Sequence, residues 1–139
     1  MAKDYEMISN VLSLAVRLEN LCEGFDSNNK SAVLTSKIKI LIELSKRDSA
    51  SPRLLMASVG LAKSNIAMLC NDLVKEEMIS KKRDDFDTRE ISYSITEKGA
   101  NEINKYFSKA KKNFEGELEY KNNIKQIEKS VSDLLELVK

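Results

Sequence analysis

Lys82-Arg83-Asp84-Asp85-Phe86-Asp87-Thr88-Arg89 lies between two short β-prone segments, and that placement decides the fold. Downstream, Ile91, Tyr93 and Ile95 alternate with Glu90, Ser92 and Ser94, the period of a half-buried strand. Upstream, Met78-Ile79-Ser80-Lys81 can pair with it. The eight residues Lys82–Arg89 are then the charged tip of a hairpin.

Working back from the hairpin, Ile66, Leu69, Cys70 and Leu73 recur at i, i+3, i+4 and i+7, the inner stripe of a helix. Its opposite side carries Ser64, Met68, Asn71 and Lys75, flanked by Asn65, Ala67 and Asp72. A shorter helix precedes it. Ser51-Pro52 supplies a capping hydroxyl and the chain's one proline at the first helical position, Leu55 and Val59 turn inward, and Gly60 ends the helix in a left-handed turn. Before that, Thr35 caps a helix carrying Ile38, Leu41 and Ile42 inward, which breaks at Lys46-Arg47-Asp48-Ser49-Ala50. Two helices joined by a tight turn and followed by a charged hairpin are the layout of a winged helix, which makes DNA binding the leading expectation.

The ends of the chain have a different character. A first helix from about Tyr5 to Phe25 carries two apolar stripes: Ile8, Leu12, Ala15 and Cys22, and Met7, Val11, Leu14, Leu18, Leu21 and Phe25. Together they are wider than one core contact requires. Asp26-Ser27-Asn28-Asn29-Lys30 reads as a loop. After the hairpin, Thr96 opens a long helix through Ile103, Phe107, Ala110 and Phe114, with an interruption near Gly116. A last helix spaces Ile124, Ile127, Val131, Leu134 and Val138 by threes and fours, as a seam. An apolar excess at both ends points to a homodimer rather than to one intramolecular core.

Composition removes most other function classes. The chain has no histidine, so the usual general base and zinc ligand are missing. Four scattered glycines form no phosphate loop. No enzyme, cofactor or metal is expected. Lys and Arg number 23 against 22 Asp and Glu, a net charge of +1, so any nucleic-acid footprint must be local. No apolar run matches a membrane span and no signal peptide opens the chain, so a cytoplasmic protein is expected. Cys22 and Cys70 fit a reducing compartment. Cys70 falls on a core stripe and Glu23 sits beside Cys22, which favours structural thiols over redox sensors.

From about Leu34 to Gly99 the chain resembles the MarR family of bacterial transcription regulators and the related SarA group. Four motifs in register carry the resemblance: Leu34-Thr35; Ser51-Pro52-Arg53-Leu54-Leu55-Met56-Ala57 with Val59-Gly60-Leu61-Ala62-Lys63-Ser64; Asp87-Thr88-Arg89; and Ile95-Thr96-Glu97-Lys98-Gly99. Departures occur at Ala62, where the family often has a capping Ser, at Ala67-Met68 in place of a Thr-Arg pair, and at Glu77, where Gly is usual. The fold implied is mainly α with a small β-hairpin: an N-terminal dimerisation helix over 1–30, a winged helix-turn-helix over 31–99 and C-terminal dimerisation helices over 100–139, in one compact chain.

The resemblance implies that Arg89 enters the minor groove with Asp87 orienting it. A planar, permanently charged fork also suits the negative potential of a narrow A·T-rich groove, although Asp87–Arg89 would equally serve as a solvated hairpin ion pair. Lys81, Lys82 and Arg83 would touch phosphates along the wing, or form an ordinary solvated face. Ser64 and Asn65, at a helix N-terminus, can reach phosphate or a base edge. Asn71 offers an adenine contact and Met68 a thymine-methyl contact. Arg53 and Lys63 are further phosphate candidates. The partner is expected to be double-stranded DNA with a pseudo-palindromic, A·T-rich operator whose half-sites lie about 10 base pairs apart. The resemblance implies a homodimeric repressor and leaves room for a small, often aromatic, effector between the DNA-binding lobe and the dimer helices. The competing reading is a winged-helix module that binds protein, which Ala67-Met68 and the near-neutral charge favour.

Overall fold

The computed structural model describes residues 2–22, 35–87, 89–117 and 120–138. In chain order these form α1 (Ala2–Cys22), α2 (Ser36–Ser45), α3 (Pro52–Val59), α4 (Lys63–Lys75), β1 (Ile79–Arg83), β2 (Ile91–Ile95), α5 (Glu97–Glu117) and α6 (Tyr120–Leu137). Residues 34–107 make one compact unit; residues 1–33 with 108–139 make a second. No single helix among the described residues is long and apolar enough to cross a membrane.

Local signals set the helix starts in the first unit. The Thr35 hydroxyl accepts from the Ile38 amide at 3.3 Å, and the Ser51 hydroxyl from the Leu54 amide at 3.1 Å. Gly60 takes φ 76° and its amide closes on the Met56 carbonyl at 2.9 Å, which lets α4 start three residues later. The core between these elements contains Ile38, Ile40, Leu41, Leu44, Ala50, Leu55, Ile66, Cys70, Leu73, Ile79, Tyr93 and Ile103.

Several expected details shift. Ile42 is only partly buried, while Ile40 and Leu44 are fully enclosed, because α2 packs against α3, α4 and β2. Val59 and Leu69 are likewise half-buried. The strand starts at Ile79, leaving Met78 outside it, and it continues through Lys82 and Arg83, so those cations lie on a strand and not at the tip. The first helix starts at Ala2. Phe25, the loop 26–30, Leu34 and Thr88 lie outside the described residues. The long helix ends at Glu117, one residue past Gly116, and the last helix begins at Tyr120, as expected from the interruption near that glycine. A further bend falls at Asn123 (φ −125°, ψ 19°), inside α6.

The second unit shows its apolar residues to solvent. Along α1, Tyr5, Met7, Ile8, Val11, Leu12, Leu14, Val16 and Leu18 are 42–69% exposed. On α6, Val131, Leu134 and Leu135 are also exposed, as is Val138 just past its end, whereas Ile124 and Ile127 are half-buried.

The joint between α4 and the hairpin decides where the wing starts. The Glu77 amide bonds the Val74 carbonyl at 3.0 Å and the Met78 amide bonds the Leu73 carbonyl at 2.9 Å. This is the paired helix ending that calls for a left-handed residue. That residue is Glu77, at φ 63°, the one described non-glycine residue with positive φ. A β-carbon is disfavoured there. Glu77→Gly should therefore raise stability by about 1 kcal/mol, seen as a higher unfolding midpoint, while Glu77→Ala should give no such gain. Equal midpoints for Glu77→Gly and Glu77→Ala would show that the turn is unstrained.

Cys70 is fully buried, and desolvation pushes its thiol up to about 11 against the opposing charge of Lys81. At neutral pH it holds its proton and resists attack. In a Cys22→Ser background the native protein should not react with iodoacetamide at neutral pH, and should react once unfolded. Rapid native-state labelling, read by mass spectrometry, would make Cys70 a reactive thiol instead.

Candidate nucleic-acid interface

The helix α4 is apolar on one side and free on the other. Ile66, Cys70 and Leu73 are at most 1% exposed, so they fix the helix's rotation about its own axis. The other side must then face solvent: Lys63, Ser64, Asn65, Ala67, Met68 and Asn71 are all exposed. At 100° per residue, Ser64, Met68, Asn71 and Lys75 fall within about 60° of one another. Ala62 occupies the N-cap and makes no side-chain hydrogen bond to the first turn, so the amides there keep the capacity to bind an anion. Arg53 is exposed in the first turn of α3.

The hairpin is a two-stranded antiparallel sheet in which Ile79 pairs with Ile95, Lys81 with Tyr93 and Arg83 with Ile91. Strand alternation places Lys81 and Arg83 on the same face as buried Ile79 and Tyr93, and Lys82 on the other face with Ser80, Ser92 and Ser94. Consistent with this, the charge of Lys81 acts on Cys70 and that of Arg83 on Tyr93, although burial of the Tyr93 phenol dominates and raises its pKa. The three wing cations therefore do not form one stripe. Two backbone hydrogen bonds tie the hairpin to the start of α3: Ala50 amide to Tyr93 carbonyl at 2.9 Å, and Tyr93 amide to Ala50 carbonyl at 2.8 Å. A residue read from sequence as part of a helix-breaking loop is thus a third-strand contact that braces the wing.

At the tip the carboxylates organise the turn. The Asp84 carboxylate accepts from the Phe86 amide at 2.7 Å and lies 3.4 Å from the Asp87 amide. The Asp87 carboxylate accepts from the Arg89 amide at 3.0 Å and from Arg89 Nε at 3.2 Å. Backbone bonds from Asp84 to Glu90 and from Glu90 to Asp87, both 2.9 Å, close the loop. The Asp87–Arg89 pair predicted from sequence is present, yet the Arg89 side chain remains 91% exposed. Such a pair adds little to folding, while it restricts where the guanidinium can go. The pair is thus the solvated hairpin ion pair, with the guanidinium left open to solvent.

Sequence reading passed over Phe86, whose ring is wholly exposed. A signal was there. It is an aromatic set among charges with no apolar residue two positions away, so it lies on no buried strand face.

At the foot of α4, Lys37 Nζ pairs with Glu76 Oε1 at 2.6 Å, and that hydrogen bond raises the lysine's pKa against a desolvation effect. Lys98 Nζ donates to the Glu76 carbonyl at 3.0 Å. These lysines brace the helix end.

A fold of this kind occurs in solved transcription regulators. Wild-type MarR from E. coli in its apo form superposes with a TM-score of 0.68 at 14% identity, over 91% of this chain and 95% of that one. YusO from Bacillus subtilis gives 0.63 at 17% identity, over 96% of each chain. BpsR from Bordetella bronchiseptica, whose DNA binding is regulated by 6-hydroxynicotinic acid, gives 0.59 at 12% identity, over 91% and 93%. A comparison with curated proteins finds no match. The family described as transcriptional regulator SarA/Rot matches residues 27–106, more than half of the chain and all of the helix-turn-helix and wing. The chain belongs to the SarA/Rot family, winged-helix transcription regulators and not enzymes, and it has the MarR fold.

Proposed function

We propose that the chain is a homodimeric repressor that reads a pseudo-palindromic, A·T-rich operator through α4 and the wing. One observation carries this: the side of α4 opposite its buried stripe exposes Ser64, Asn65, Met68 and Asn71, in the same compact unit as the hairpin that holds Arg89 in solvent. In this reading α4 lies in the major groove. Its free N-terminal amides, Ser64, Lys63 and Arg53 take phosphates, Asn65 and Asn71 reach base edges, and Met68 meets a thymine methyl. Arg89, oriented by Asp87, enters the minor groove, with Lys82 on one hairpin face and Lys81 and Arg83 on the other flanking the backbone.

Dimerisation follows from the apolar faces of α1 and α6. Burying a single Leu, Ile or Val side chain is worth about 1.5–3 kcal/mol, and eight large apolar residues on α1 alone are exposed. A second copy is the natural cover, with residues 1–25 and 100–139 supplying the interface. An aromatic effector would act as 6-hydroxynicotinic acid does on BpsR, by changing DNA affinity. The protein is expected to work in the cytoplasm, where its DNA lies.

A gel shift with the intergenic duplex beside its own gene tests the reading. Two phosphate-neutralising dimer halves with about three to five contacts each give a log K against log salt slope near −5 to −9. Arg89→Ala should weaken binding and make that slope shallower by about 2 per dimer, one per arginine, with no loss of thermal stability. A slope of about −2 or less in the unmodified protein, or no shift at all, would favour the protein-binding alternative.

Met68 stands where an arginine would read guanine. Met68→Arg should therefore move preference toward guanine at one position per half-site, measured by selection from a randomised duplex pool. An unchanged selected sequence would remove Met68 from the interface. Sedimentation of the intact chain as a monomer at micromolar concentration would overturn the dimer, and truncation after Glu115 is expected to give a monomer or an insoluble protein.

A further inference from the structure

The wing tip is poorly charged for a DNA contact. From Asp84 to Glu90, past the end of the first strand, it carries four carboxylates (Asp84, Asp85, Asp87, Glu90) against one cation, Arg89. Attraction to phosphate alone does not bring such a tip into a groove. Two of the carboxylates are engaged within the turn, Asp84 on the Phe86 and Asp87 amides and Asp87 on Arg89. The turn that positions Arg89 thereby also positions Phe86, three residues earlier. The Phe86 ring is 101% exposed, more than any other large hydrophobic residue described; Leu137, at the end of α6, follows at 81%.

We propose that Phe86 is a DNA-contacting residue: its ring enters the minor groove beside Arg89 and wedges against a base step, making the wing selective for steps that unstack readily. This rests on the reading of the wing as a minor-groove element. The chemistry is complementary. Arg89 supplies the charge that a narrow groove attracts, and the ring supplies apolar surface that leaves water when it meets deoxyribose walls and a partly opened step. Pyrimidine–purine steps, TpA above all, open at least cost. A·T-rich sequence then favours binding twice, through groove width for Arg89 and through step flexibility for Phe86.

The ring contacts no core residue that its removal would uncover, so Phe86→Ala should fold with an unchanged unfolding midpoint. On the intergenic duplex used above, it should weaken binding about a hundredfold, the scale of losing two base–aromatic contacts per dimer at about tenfold each. Its salt slope should match that of the unmodified protein, since no charge is lost, in contrast to Arg89→Ala. With 2-aminopurine placed at successive steps under the wing, the unmodified protein should raise fluorescence at one step per half-site and Phe86→Ala should not. Phe86→Leu should recover part of the affinity. If Arg89→Ala weakens binding while Phe86→Ala leaves affinity and fluorescence unchanged, this inference falls and the wing reading stands. If neither variant changes affinity, or the unmodified chain shifts no duplex, the wing reading falls and takes this one with it. A midpoint lowered by several degrees in Phe86→Ala would make the ring structural and also overturn it.

Discussion

The Met78 carbonyl is the point on which the DNA-reading unit turns. It accepts from the Thr96 amide at 3.0 Å and lies 2.9 Å from the Thr96 hydroxyl, which also reaches the Glu77 carbonyl at 2.6 Å. The same hydroxyl accepts from the Gly99 amide at 3.1 Å and so caps α5. Gly99 lies so close that a β-carbon there would overlap the Met78 carbonyl oxygen. One backbone oxygen thus fastens the end of α4, both strand ends at the base of the wing, and the start of α5. The Ile-Thr-x-x-Gly run at Ile95–Gly99 has a physical meaning: the threonine caps and bridges, and the glycine permits the approach. Because these contacts join backbone groups and one half-buried hydroxyl, that of Thr96, the joint between α4 and the wing does not rest on the side chains of the exposed α4 face.

That separation lets stability and recognition be set independently. The buried stripe of α4 and the Met78 joint hold the geometry, while Ser64, Asn65, Met68 and Asn71 contribute little to the fold and can differ between relatives at small cost. The Ala50–Tyr93 bonds add a second anchor, roughly midway along β2, so the hairpin is held at its base and along its length. Only the tip extends past these anchors, and there hydrogen bonds from Asp84 and Asp87 replace packing as the source of order.

What the sequence made legible follows the range of each interaction. Thr35, Ser51-Pro52 and Gly60 act within three or four residues, and their caps and turn stand where local rules put them. The periodicity of α4 was readable because one side is buried and the other is not. The same logic failed for α2. Opposite the polar stripe of Ser36, Lys39 and Glu43, Ile40 and Ile42 lie about equally far from the centre of the apolar face, so spacing does not separate them, whereas Leu44, three residues after Leu41, lies well within that face. The brace at Ala50 pairs residues 43 apart in sequence and leaves no local pattern. Among the site residues, exposure of the α4 face and the Asp87–Arg89 pair followed from sequence. The separation of Lys82 from Lys81 and Arg83 required the strand register, whereas the exposure of Phe86 was readable from its place among charges with no apolar residue two positions away.

A net charge of +1 bears on selectivity as well as on affinity. Non-specific binding to duplex DNA is almost wholly phosphate neutralisation, whereas base-edge, methyl and shape contacts operate only at the right sequence. A chain with few surplus cations therefore loses more of its non-specific affinity than of its specific affinity. The ratio of the two determines occupancy of one operator among the many competing sites of a genome. Carboxylates at the wing tip act in the same direction, since they repel a phosphate backbone, while two of them order the turn by accepting from the Phe86 and Arg89 amides. Two copies joined through α1 and α6 would multiply this discrimination, since a site matching only one half would engage only half of the sparse charge. The near-neutral composition, which at first argues against a nucleic-acid partner, would then serve to weaken binding to most DNA.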